Sequence, residues 1–121
     1  MPVLKQGSGA AYEKFANKAS RFAVVGVAAL VTLDRRGRCS QVAIGITGAG
    51  PKAVRAARAE ATLLGKEPTP EKITAAAARA PGAIGAEALS DLHASAEFRL
   101  HLTEVLAQRA LARAVARAQR A

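Results

Sequence analysis

The longest apolar run in the chain, the twelve residues from Phe22 to Leu33, constrains the fold more than any other feature. It is dense in valine, with Val24, Val25, Val27 and Val31, and both of its alternating faces are apolar. β-Branched side chains favour a pleated surface over a helix. The run therefore predicts a strand from Phe22 to Asp34, buried on both faces or nearly so. It is too short for a membrane span, which needs about 20 residues. Arg35, Arg36 and Gly37 then make a polar break with a glycine able to take positive φ. From Arg38 to Thr47 the pattern alternates: Val42, Ile44 and Ile46 point one way, and Gln41, Ala43, Gly45 and Thr47 the other. Two such runs joined by a short polar turn predict an antiparallel hairpin. The small residues on the second face of Arg38–Thr47 leave room for something to lie close.

With 121 residues the chain is expected to be a single domain, 1–121. Its core must be built from small pieces, since it holds 31 Ala but only three Phe, one Tyr and no Trp. One cysteine, Cys39, excludes an internal disulfide, and one Cys with two His excludes a four-ligand Cys/His zinc cage. No charged-then-apolar segment of signal-peptide type opens the sequence, so a reducing, cytoplasmic location is expected. The net charge is +9. The excess is spread over the chain, with clusters at Arg35, Arg36 and Arg38 and at Arg109, Arg113, Arg117 and Arg120. Neither base-stacking aromatics nor a reading motif accompanies these arginines, which argues against a nucleic-acid binder.

Around the hairpin the chain reads as mostly helical. Met1–Gly9 is an irregular lead-in. Ala10–Ser20 predicts a short helix, because Ala11, Phe15 and Ala19 recur every fourth residue. Gly48, Gly50 and Pro51 mark a loop, and Lys52–Arg55 is a candidate further strand. Ala56–Leu64 is helical by composition and stops at Gly65, a fit for the position after the helix cap. Thr69 and Pro70 are placed as N-cap and first residue of a helix to about Arg79, stopped by Pro81 and Gly82. A long helix follows from about Ser95 to Arg120, with Phe98, Leu102, Val105 and Leu106 as its buried stripe. The expected fold is α+β: an N-terminal helix, a three- to four-stranded antiparallel sheet, then a three-helix C-terminal bundle.

Few residues point to chemistry. Gly45, Gly48 and Gly50 match no phosphate-loop pattern and read as a turn leaving a strand. Cys39 has Arg36 and Arg38 nearby, which would depress a thiol pKa, but a lone cysteine is more often packing. His93, Glu97 and His101 fit an i, i+4 metal spacing, although solvated helix positions are the better reading beside Arg99 and a net positive charge. No Ser/His/Asp constellation appears, so the chain is not expected to be catalytic alone. Tyr12 stands near Lys14 and Lys18, just before the buried strand. Such a group could meet a flat anionic cofactor; the alternative is a tyrosine at a helix edge among solvated lysines.

The stretch Gly9-Ala10-Ala11-Tyr12-Glu13-Lys14-Phe15, then Lys18-Ala19 and Phe22-Ala23-Val24-Val25-Gly26-Val27-Ala28, resembles a known module. Ile44-Gly45-Ile46-Thr47-Gly48, Val54-Arg55-Ala56, Glu60-Ala61, Leu64-Gly65, Ser90-Asp91, Ser95-Ala96-Glu97-Phe98-Arg99 and Arg109-Ala110-Leu111 follow in the same order. The module is the C-terminal domain of the FAD-binding medium subunit of molybdenum hydroxylases, of the carbon monoxide dehydrogenase and xanthine dehydrogenase type. It departs from the usual pattern at Arg21, where an acidic residue is common, and at Phe98, where tyrosine is frequent.

The resemblance implies part of an oxidoreductase. In that family the subunit passes electrons from iron–sulfur clusters to FAD, and its C-terminal domain covers the flavin ring and docks partner subunits. Glycine-rich loops in an N-terminal FAD domain, which this sequence lacks, hold the flavin phosphates. FAD binding by this chain alone is therefore expected to be weak or absent. Tyr12 matches a tyrosine near the isoalloxazine, and Lys14 and Lys18 join it as candidate cofactor contacts; no catalytic or metal residue is implied. The implied partners are the N-terminal FAD domain, a molybdenum-containing large subunit and an iron–sulfur small subunit. The rival expectation is a basic nucleic-acid-binding or scaffold protein using the Arg109–Arg120 face.

Overall fold

A computed structural model describes residues 7–16, 23–85, 88 and 95–120. Four strands form one antiparallel sheet in sequential order: β1 (Ser8–Ala16), β2 (Ala23–Leu33), β3 (Cys39–Thr47) and the two-residue β4 (Val54–Arg55). Helices α1 (Ala57–Leu63) and α2 (Pro70–Arg79) follow. A 3₁₀ turn over Ala80–Ala83 comes next, and α3 (Ala96–Arg120) is the last described element. This is the α+β architecture expected from the sequence, with a four-stranded sheet and three helices after it.

One expected element is different. Ala10–Ala16 is not helical but lies within the edge strand β1; residues 17–20 are outside the described set. The reason is a degeneracy of spacing. Positions 11 and 15 share a side under a period of 3.6 and also under a period of 2. Glu13 separates the two readings. In a helix it would sit off the apolar stripe; in the strand it shares the α3 side with Ala11 and Phe15. It is accommodated there by Arg113 of α3, whose Nη1 lies 2.8 Å from Glu13 Oε2.

The hairpin forms as expected. Gly37 takes φ +78° in the turn. Asp34 Oδ1 accepts the Arg36 and Arg38 backbone N–H groups at 2.9 and 3.0 Å. The Arg38 N–H bond is the main reason that the Asp34 carboxyl titrates below its ordinary value; desolvation opposes it, and the Arg36 N–H and both arginine charges assist. The hairpin's support from Asp34 is thus present above the ordinary carboxylate pKa and is lost as pH falls through the lowered one.

The core lies between the sheet and the helices. Val25, Val27, Ala29 and Val31 of β2 and Val42, Ile44 and Ile46 of β3 are buried on one side. Against them packs the inner stripe of α3, including Leu102, Leu106, Ala110, Leu111 and Ala114. Phe98 belongs less to that stripe than its periodicity suggests. It is 41% exposed and meets Phe15 edge-on at 5.9 Å, at the end of the sheet. Arg99 is buried instead, and its Nη1 donates to Gly48 O at 3.0 Å, tying α3 to the loop after β3. Thr69 Oγ1 accepts Lys72 N–H at 3.3 Å, the expected cap of α2. Gly65, at φ +79°, follows the C-cap Leu64 of α1.

The other face of the sheet is not fully covered. On β2, Val24 and Thr32 are buried there, but Leu30 is only half-buried and Ala28 is exposed. The strand is therefore closed on one face and partly open on the other, less buried than its apolar pattern suggests.

Candidate functional site

Strand register decides which side chains share the open face. Antiparallel pairing places Tyr12 opposite Ala28, Ala28 opposite Gly45, and Gly45 opposite Arg55. The next row holds Ala10, Leu30 and Ala43, and on the other side Lys14, Gly26 and Thr47. A shallow hollow of about 680 Å³ lies over this floor, with Tyr12, Leu30, Arg55 and Arg117 among its lining residues. Strands lie about 4.8 Å apart, so Tyr12 and Arg55 stand about 14 Å apart across a floor of one alanine and one glycine. A Cβ built on Gly45 meets nothing within 4 Å.

The rim of the hollow is polar and aromatic. The Tyr12 ring leans over Gly26, where a Cβ would collide with its hydroxyl, and the residue is 53% exposed. Replacing Tyr12 with alanine should shift the domain's stability by no more than about 0.5 kcal/mol in a urea melt, the usual range for exposed positions. Lys14 is exposed two residues along on the same face. Lys18 lies outside the described residues.

At the opposite rim Arg55 is held rather than free. Its Nε and Nη2 donate to Glu60 Oε2 and Oε1 at 3.0 and 2.8 Å, and that contact raises the arginine pKa. Glu60 Oε2 also accepts the Ile44 backbone N–H at 2.9 Å. The carboxylate thus caps the β3 edge where β4 is too short to supply an acceptor, and aims Arg55 at the same time. The sequence reading singled out neither Arg55 nor Glu60 as a site residue. The usable signal was their spacing of five across the start of α1, visible only once β4 and α1 are known to meet there.

Cys39 is buried, and burial, with the Asp34 charge adding, pushes its thiol up rather than down. Its arginine neighbours do not activate it. Among the described residues no cluster of His, Cys, Asp or Glu could hold a metal ion; His93 lies outside them, and His101 is exposed. No helix among them is long and apolar enough to cross a membrane. The arginine face of α3 is partly engaged within the fold: Arg113 pairs with Glu13, and Arg117 Nη1 donates to Ala10 O at 2.6 Å.

Comparison with known proteins gives a consistent picture. The family model described as the CO dehydrogenase flavoprotein C-terminal domain matches residues 10–114. The chain is 35% identical, over 98% of its length, to the 6-hydroxypseudooxynicotine dehydrogenase complex subunit alpha of Paenarthrobacter nicotinovorans, of which it covers 40%. It is 34% identical, over 97% of its length, to the carbon monoxide dehydrogenase medium chain of Hydrogenophaga pseudoflava, again covering 40%. A solved structure of the carbon monoxide dehydrogenase from Hydrogenophaga pseudoflava that lacks the Mo-pyranopterin moiety superposes with a TM-score of 0.85. There the identity is 36%, and the match covers 96% of this chain and 39% of that one. The chain thus spans about two-fifths of the length of these relatives.

Proposed function

We propose, because the chain belongs to the CO dehydrogenase flavoprotein C-terminal domain family, that its open sheet face covers the ring region of an FAD and that the domain docks partner subunits. Homologous chains are medium subunits of molybdenum hydroxylase-type oxidoreductases, and FAD is the cofactor that such a flavoprotein subunit implies. The observation that carries the reading is the floor of Ala28 and Gly45 between Tyr12 and Arg55.

The residues present fit a flat ring. Alanine and glycine are poor strand formers, yet they occupy the exposed row, where they keep the floor low. Tyr12 offers an aromatic surface, and offset stacking adds about 0.5–1.5 kcal/mol beyond area burial. Lys14 offers positive charge to the polar edge of such a ring, and Arg55, whose charge Glu60 pairs, offers its remaining guanidinium N–H donors. Lys18 follows β1 in sequence and is proposed as a further contact. When bound, the flavin supplies the electron-accepting chemistry; this chain's side chains orient the ring and exclude water from one side of it.

Phosphate contacts supply much of the binding energy of a dinucleotide, and no glycine-rich phosphate loop occurs in these 121 residues. Those contacts are assigned to an FAD domain outside this sequence, with a molybdenum-containing large subunit and an iron–sulfur small subunit as further partners. The domain orients and docks rather than catalyses. Fluorescence titration of FAD into the 121-residue chain should show binding weaker than micromolar. Sub-micromolar binding would place the main site in this chain and overturn the division of labour.

The nucleic-acid reading has less support from this surface, since Arg113 and Arg117, two of its four arginines, also bond β1.

A further inference from the structure

Away from the open sheet face, α1 and α2 bring three cations to one hollow. Arg58 of α1, Lys66 of the following loop and Arg79 at the end of α2 line a depression of about 470 Å³. A second hollow of about 330 Å³ adjoins it; Arg58 and Arg79 line both, and Arg55, paired with Glu60, lines the second as well. Among the described residues, no ion pair engages the side chains of Arg58, Lys66 or Arg79. The contrast with the rest of the fold is informative. Arg55 has recruited Glu60 and Arg113 has recruited Glu13, each at 2.8 Å. Among the described residues neither hollow is lined by a carboxylate; Ala61, Thr62 and Ala83 are among the uncharged lining residues. Like charges gathered around one hollow repel one another, and the arrangement becomes favourable when anionic groups face it.

We propose that this α1–α2 face is a docking surface for an acidic segment of a partner protein. The inference deepens the docking half of the function proposed above and rests on it; the flavin half plays no part in the test. A carboxylate-bearing segment matches the spread of the cations over two adjoining hollows, and arginine is enriched at protein interfaces. Nucleic acid fits less well, because Tyr12, Phe15 and Phe98 lie on β1 and α3 and, among the described residues, neither hollow is lined by a ring on which bases could stack.

The test is fluorescence anisotropy on the 121-residue chain with two labelled probes of equal length, a glutamate-rich peptide and a single-stranded DNA. Both are titrated at about 50 mM salt, where screening is weak. The peptide should bind. Arg58→Glu with Arg79→Glu should weaken it at least about tenfold, and the Gln pair should weaken it by an intermediate amount. Arg35→Glu with Arg36→Glu, an equal charge change on the hairpin turn, should leave peptide affinity within about twofold. All four arginines are exposed, and an unchanged thermal midpoint confirms folding of each variant. Absence of peptide binding, or equal weakening by both charge-reversed pairs, overturns the proposal. Tighter binding of DNA than of peptide, lost on changing Arg58 and Arg79, assigns the face to nucleic acid instead and also overturns it. FAD affinity is untouched by any of these outcomes, so failure here is distinguishable from failure of the flavin reading.

Discussion

Replacing Gly9 by alanine should cost the domain about 3 kcal/mol, toward the upper end of what overpacking does. Gly9 sits on the α3 side of β1, opposite Val31. A Cβ there would collide with the Ala114 carbonyl and the Ala118 amide, both backbone atoms of α3. A flexible side chain could turn aside; a helix backbone cannot. Ala110, Ala114 and Ala118 are all buried on that helix face. Their small size lets the helix lie directly on the strand, and Gly9 completes the close approach. The same substitution at Gly45 meets open space and should be neutral or stabilising by up to about 1 kcal/mol, since glycine weakens a strand interior. Urea melts should therefore show a large loss of stability for Gly9→Ala and none for Gly45→Ala. A Gly9→Ala variant as stable as the parent would mean that α3 does not rest on β1 at this point.

Glu60→Ala should have the next largest effect, about 2 kcal/mol. It removes the charged acceptor of the Ile44 N–H on the central part of β3. The exposed half of the interaction, the pair with Arg55, adds little to stability because solvent screens it. Arg55→Ala should accordingly be nearly silent in a melt while Glu60→Ala is not. Comparable losses in the two variants would show that the ion pair, and not the edge cap, carries the stabilisation.

The parts of the fold that were legible in the sequence are those where one period dominates. The valine run and the Val42, Ile44, Ile46 alternation admit only a strand reading, and Gly37 marks the turn between them. Thr69-Pro70 and Gly65 mark helix ends because their backbone requirements are local. β1 was misread because a spacing of four satisfies two periods, and the residue that breaks the tie, Glu13, is explained only by Arg113, a hundred positions away. The burial of Arg99 was illegible for the same reason: its acceptor, Gly48 O, belongs to a distant loop. The small residues opposite Val42, Ile44 and Ile46 did signal an open face. Its extent depended on register with β1 and β4, which no local pattern specifies. Arg55 became a candidate only when that register placed it in the Tyr12 row.

The most direct measurement is FAD retention by a chimeric subunit in which this chain replaces the matching two-fifths of the Hydrogenophaga pseudoflava medium chain. Gly45→Trp fills the floor of the open face, its Cβ meeting no neighbouring atom, and an unchanged thermal midpoint of the isolated domain confirms that the variant folds. The expected result is a chimera that keeps its flavin through gel filtration and a Gly45→Trp chimera that loses most of it. Equal flavin retention by the two would contradict the assignment of the open sheet face to the flavin ring.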